Sequence, residues 1–163
     1  MLAFNYHHLL VGVDGSKTAA KAVKKAIAVA KRNAAKLTIV AVINNRDFIG
    51  VSKSASIGFG NIDPITIENL KRRFEKLVAG YAEQARAAGV TDVDALVTYG
   101  DPKSLLATEL VTEHHVDAIV IGATGVNFFS RLTLGSTAAF VIAHAPCDVF
   151  VVHRDRKKLT RDL

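Results

Sequence analysis

Five short apolar runs, separated by stretches of helical periodicity, restrict this chain to folds in which strands and helices alternate. His8 to Val13 is the first run and ends at Asp14-Gly15-Ser16. A helical pattern follows at once, with Ala19, Val23, Ala26, Ile27 and Ala30 at spacings of three and four and lysines on the other side. Leu37 to Ile43 is β-branched and almost continuously apolar, the pattern of a strand buried on both faces of a parallel sheet. Asn44 to Asp63, rich in Gly, Ser and Asn and without a sustained period, reads as a long connection, mobile or acting as a lid.

Asp63-Pro64 signals a helix start, and Leu70, Phe74, Leu77, Val78, Tyr81, Ala85 and Ala88 mark one face of that helix until Gly89 stops it. Asp92 to Thr98 is the third strand. Asp101-Pro102 repeats the start signal for a helix with Leu105, Leu106 and Leu110 inward. Asp117 to Ile121, Leu134 to His144 and Cys147 to Val152 then read as strand, helix and strand. The tail beyond His153 is polar and basic and is expected to fray.

This order predicts an α/β fold: a single open parallel five-stranded sheet with helices on both faces, joined by right-handed crossovers. One domain over residues 1–153, followed by a basic tail over 154–163, accounts for the whole chain. In such sheets ligands bind beyond the carboxyl ends of the strands, where the winding direction reverses, so the strand ends are where function is sought. The fourth strand ends in Gly122-Ala123-Thr124-Gly125, and Gly135-Ser136-Thr137 opens the fourth helix. Glycine permits close backbone approach, and the first turn of a helix presents unpaired N–H groups with partial positive charge, which together suit a phosphate. The same residues also fit ordinary turn and cap chemistry. Asp14 has the acceptors to hold a ribose hydroxyl or a base amine, or it caps the first helix together with Ser16.

Other function classes lack their signals. No Gly-x4-Gly-Lys-Ser/Thr loop is present, so vigorous ATP hydrolysis is not expected. Gly58-Phe59-Gly60 begins like a dinucleotide fingerprint but follows no strand and lacks the third glycine. The adjacent pairs His7-His8 and His114-His115 cannot each face one metal, and are expected at the surface or at element ends. Ser136 has no base or orienting acid to make it a nucleophile. The net charge of +6 concentrates in two places: seven basic residues and no acid between Lys17 and Lys36, and a tail of net +3 from Arg154 to Leu163. With 7% aromatic residues and no recognised motif, the lysine stripe reads as a solvated helix face and nucleic acid is not the expected partner. Lys17 and Arg131 are candidates for extra charge beside a bound phosphate. Leu132 to Cys147, the longest uncharged apolar stretch, falls short of the roughly 20 residues of a spanning helix, so no membrane span is expected. The start, Met1 to His8, does not read as a secretory signal, and Cys147 as single cysteine suits a reducing, cytoplasmic setting.

Taken together, Val11-Gly12-Val13-Asp14-Gly15-Ser16, the spacing Gly122-x2-Gly125-x9-Gly135-Ser136 and the ending His144 to Val152 make the chain resemble the universal stress protein family, over about Leu9 to Val152. The glycine spacing is similar to that of the family's nucleotide-binding branch. The resemblance implies strand order 3-2-1-4-5, a Rossmann-like fold of the adenine nucleotide alpha hydrolase type, with Asp14 beside Gly122 across the switch point. It implies ATP, ADP or AMP as ligand, Mg²⁺ entering with the phosphates, and homodimers joined through the last strand, Cys147 to Val152. By residue, it implies that Asp14 contacts the adenosine, the Val42 backbone borders the adenine, and Gly122 lies under the ribose. Gly125, Gly135, Ser136 and the N–H of Thr137 would hold phosphates. Asp148 departs from the apolar or Pro residue of many relatives. The implied activity is that of a nucleotide-responsive stress regulator with little or no turnover. The alternative is a slow ATPase or adenylate-transferring enzyme on the same scaffold.

Overall fold

The computed structural model describes residues 5–44, 64–125 and 134–154. Apart from Asn44, the connection up to Asp63 lies outside the described residues, as do Gly58 to Gly60, Arg131 and the tail beyond Arg154. The elements are β1 (His8–Val13), α1 (Lys17–Asn33), β2 (Lys36–Asn44), α2 (Pro64–Ala87), β3 (Val93–Gly100), a segmented helix α3, β4 (Ala118–Gly122), α4 (Ser136–His144) and β5 (Asp148–Val152). The five strands form one parallel sheet in the order β3-β2-β1-β4-β5, as the family resemblance implies.

Local chemistry accounts for the boundaries. The Ser16 hydroxyl accepts from the Ala19 N–H at 3.0 Å and caps α1. The other end closes on Ala34 in the left-handed region, with Lys31 and Arg32 in the last turn against the helix dipole. Asp101 accepts from the Lys103 N–H at 3.2 Å with Pro102 in the first helical position, as its sequence signal predicts. From there α3 runs as Pro102–Ser104, a π-turn over Leu105–Glu109 and a last α-turn over Leu110–Glu113. The Leu110 N–H reaches back to the Leu105 carbonyl, an insertion that apolar spacing does not encode. Helix α4 starts later than the sequence suggests, because Gly135 is still extended and Leu134, ahead of it, is 38% exposed.

Alternation along β1 divides the core between two faces. Leu9, Val11 and Val13 pack with α1 and α2, among Ala22, Val23, Ala26, Val78 and Ala82. Leu10 packs on the opposite face with Val40, Leu106, Ile119 and Val141, under α3 and α4. Each fully buried aliphatic side chain contributes about 1.5–3 kcal/mol relative to exposure. The first helix therefore leaves β1 toward one face and the fourth leaves β4 toward the other, which sets the switch point between these two neighbouring strands.

The histidine pairs lie at element ends, as expected, and His8, which starts β1, is 8% exposed there. Its Nδ1 lies 2.8 Å from the His114 carbonyl oxygen, so that nitrogen carries the proton, and its Nε2 lies 2.8 Å from the Thr38 hydroxyl. Asp117 accepts from the backbone N–H groups of His7 and His8 beside it. A polar group is tolerated there because each of its partners is present.

Candidate functional site

A cavity of about 430 Å³ opens at the carboxyl ends of the strands, at the switch point between β1 and β4. It brings together the residues that the family resemblance assigned to a nucleotide: Asp14 after β1, Val42 on β2, Gly122 at the end of β4, Gly125 after it, Gly135 just before α4, and Ser136 and Thr137 at its start. Val40, Phe74, Leu106 and Ile121 also line it and were not singled out, since an apolar residue facing a cavity has the same sequence pattern as one facing the core.

Close contacts between backbones build the polar end. The Gly135 N–H donates to the Ala123 carbonyl at 2.7 Å, and the Ala123 N–H donates to the Val152 carbonyl at 2.8 Å. The turn after β4 is thereby fastened to both α4 and β5. A Cβ on Gly135 would lie 3.1 Å from the Ala123 oxygen, and one on Gly122 would lie 2.9 Å from Thr18 Cγ2. The Thr18 hydroxyl lies 3.4 Å from that of Thr124 and ties α1 to the same turn. Gly135 occupies the cap position of α4 and offers no side chain to its first N–H groups, so this helix start keeps its donors and its dipole for another acceptor.

Asp14 stands across from this helix start. One carboxylate oxygen accepts from the Ser16 N–H at 2.9 Å, which holds the side chain in a local turn. The other oxygen would meet a Cβ on Gly125 at 2.9 Å, so the carboxylate rests against the Gly122 to Gly125 turn. Burial pushes the Tyr81 phenol above its ordinary value, and the negative charge of Asp14 adds to that shift. Among the described residues that line the cavity, Asp14 is the one that carries a charged side chain. Lys17 does not line it; together with Thr18, Lys21 and Arg154 it borders a separate cleft. No cluster of three or more metal-ligating side chains occurs among the described residues. Cys147 is half-buried, and burial, reinforced by the charges of Asp148 and Asp117, pushes its thiol up to about 11. A thiol so protonated is a poor nucleophile.

The arrangement therefore joins an apolar slot between β2 and α3, a carboxylate with acceptors to spare, and a helix start with uncapped donors. Such a site suits a ligand with a flat apolar part, hydroxyls and an anionic group. Among the described residues no helix is long and apolar enough to cross a membrane.

The universal stress protein family matches residues 5–153. A universal stress protein relative from Staphylococcus haemolyticus is 39% identical over 150 residues, covering 92% of this chain and 86% of the relative. Among solved structures, the universal stress protein UspA from Lactobacillus plantarum is similar with a TM-score of 0.73 and 26% identity, over 92% of this chain and 99% of that one. A universal stress protein solved in complex with cAMP is similar with a TM-score of 0.64 and 28% identity, over 91% of this chain and 98% of that one.

Proposed function

The chain belongs to the universal stress protein family, and we propose that it is an ATP-binding regulator of this family, cytoplasmic, with little or no turnover. In this reading the adenine lies in the slot beside the Val42 backbone, Asp14 accepts from the ribose, and Gly122 lies under the sugar. Gly125, Gly135, Ser136 and the Thr137 N–H surround the phosphates. ADP and AMP fit the same pocket with fewer phosphates.

The observation that carries the reading is the convergence of Asp14, the turn after β4 and the uncapped start of α4 on one cavity of about 430 Å³. The cAMP complex of a 28% identical neighbour supports an adenine nucleotide over other flat anions. Mg²⁺ suits the triphosphate through the nucleotide's own oxygens, since the described lining residues contribute a single carboxylate. The homodimer belongs to this proposal as well: β5 pairs with β4 along one side and forms an edge of the sheet, where a second copy would complete the pairing.

Titration calorimetry of the full chain with ATP, ADP, AMP and cAMP tests the reading. Saturable binding that weakens in Asp14→Ala and Gly135→Val supports it. A flat response up to about millimolar nucleotide, the weakest affinity worth about 4 kcal/mol, overturns it. Phosphate release from ATP no faster than in Gly135→Val supports binding without turnover, and clearly faster release favours an enzyme.

A further inference from the structure

Gly12 sits inside β1, where glycine weakens a strand and marks the close approach of another group. Its φ is not positive, so the need for glycine comes from a neighbour rather than from the path of the chain. A Cβ on Gly12 would lie 3.0 Å from Leu106 Cδ1 and 3.3 Å from Cδ2, so the end of the Leu106 side chain rests on bare strand backbone. Leu106 comes from the π-turn of α3, and the residue before it is seated in the same way: a Cβ on Gly100 would lie 2.9 Å from Leu105 Cδ1. Turns of this kind inside helices are frequent at functional sites. Leu106 is 5% exposed, yet it lines the larger cavity together with Gly12, Val40 and Ile121. Val40 is the register partner of Gly12 on β2. Away from the cavity, Leu106 belongs to the core under α3 and α4, with Leu10, Val111 and Val141. The cavity therefore ends at a leucine wedged on the sheet.

We propose that Leu106, wedged on Gly12, sets the depth of the base slot and so selects for a purine without bulky ring substituents, an assignment that rests on the adenine lying in that slot. The selection is steric. One methylene of missing or excess size in an apolar pocket changes discrimination by about 10- to 200-fold. The Leu106 methyls have strand backbone beneath them and packed core behind, so they do not retreat from a larger base. A methyl added at Gly12 acts in the opposite direction. Leu106 must then give by a few tenths of an ångström, and the open volume it borders is the cavity, so the slot narrows.

Calorimetry of the full chain with AMP and three derivatives tests the assignment. The derivatives carry a benzyl group on the exocyclic amine, a methylthio group on the carbon between the pyrimidine-ring nitrogens, or bromine on the imidazole carbon, and so probe different edges of the base. Leu106→Ala is expected to shift the ratio of derivative to AMP affinity by at least about tenfold in favour of at least one derivative. Destabilisation alone weakens all four ligands alike and leaves the ratios unmoved. Gly12→Ala is expected to weaken AMP binding by about tenfold, and Gly12→Ala/Leu106→Ala to bind AMP as well as Leu106→Ala does. Unchanged ratios for all three derivatives in Leu106→Ala, with AMP still bound by the parent, overturn the depth assignment and leave the nucleotide reading standing. So does a Gly12→Ala loss that is absent, or that is equal with and without the leucine, which would put the added methyl itself against the base. A parent chain that binds none of the four ligands overturns both. Urea unfolding accompanies each titration, because Leu106 is buried. If Leu106→Ala is not folded, Leu106→Val, shorter by one methylene, carries the same ratio test.

Discussion

Gly122→Ala is expected to destabilise the fold through one identified contact, and Thr18→Ser is expected to return part of that loss. The Cβ would sit 2.9 Å from Thr18 Cγ2, against 3.3 Å from the Thr18 carbonyl carbon and Cβ. Carbon atoms pack best at about 3.5–4.0 Å, so the overlap with Cγ2 is about 0.6–1.1 Å. Thr18 is 3% exposed and β-branched within a helix, so its methyl cannot turn aside without carrying the hydroxyl away from Thr124. Overpacking of this kind costs about 1–3 kcal/mol. Thr18→Ser removes one buried methyl, worth about 1 kcal/mol. Simple addition puts the double variant about 2–4 kcal/mol below the parent. With Cγ2 absent the worst overlap is gone, and the double variant should lie about 1–2 kcal/mol below it, a coupling of about 1–2 kcal/mol. Urea unfolding of the four proteins at equal m-value measures the cycle. Additivity within about 0.5 kcal/mol, or a Gly122→Ala cost below that figure, refutes the steric argument.

Asp14→Ala should weaken adenine nucleotide binding by about 10- to 100-fold, the equivalent of 1.5–3 kcal/mol for a hydrogen bond to a charged group, and unchanged calorimetric affinity refutes the assigned contact. Burial chiefly lowers the His8 pKa from 6.5, with Lys36 and His114 in the same direction and the hydrogen bond to the His114 carbonyl and the charge of Asp117 opposing. The folded chain thus binds fewer protons than the unfolded one below pH 6.5, so stability held above that value is lost as the pH falls through the folded-state value. Urea midpoints should fall from pH 7.5 to pH 5.5 more steeply in the parent than in His8→Gln, and equal slopes count against it. Raising the Cys147 thiol from 9.0 to about 11 lowers its thiolate fraction about 100-fold at neutral pH, and the greater nucleophilicity of a more basic thiolate offsets about tenfold of this. Labelling by a maleimide should be at least about tenfold slower in the folded chain than in urea, and equal rates refute the burial argument.

The alternation of strands and helices is legible in the sequence because each element carries its own signal, from Asp101-Pro102 at a helix start to Gly89 at a helix end. Strand order is not among those signals. Every run from Leu9 to Val152 has the same apolar character, and 3-2-1-4-5 came with the family resemblance. The anionic end of the site is legible for the opposite reason: Asp14 and the glycines break the apolar pattern at strand ends. The apolar wall is hidden, since Phe74 and Leu106 obey the helical periodicity of core residues whether they face the sheet or the cavity. The burial of His8 at the start of β1 is not legible either, because it depends on Thr38 and His114, partners distant in sequence.

The same geometry qualifies what the glycine spacing proves. Gly122 is required by the Thr18 side chain, Gly125 lies against the Asp14 carboxylate, and Gly135 lies against the Ala123 carbonyl. Two of these three neighbours belong to the packing of α1 and α4 on the turn after β4, and would exclude a side chain with no ligand present. The spacing is therefore first a record of three chain segments in close approach, and by itself does not identify a phosphate site. The argument for an anion comes instead from what packing leaves undone. Gly135 withholds a cap from α4, a volume remains open beside it, and Asp14 keeps one oxygen facing the turn while the other is engaged by Ser16. A fold selected for stability alone would have closed that volume, whereas a capping side chain at 135 is already excluded by the Ala123 oxygen, 3.1 Å from where its Cβ would lie.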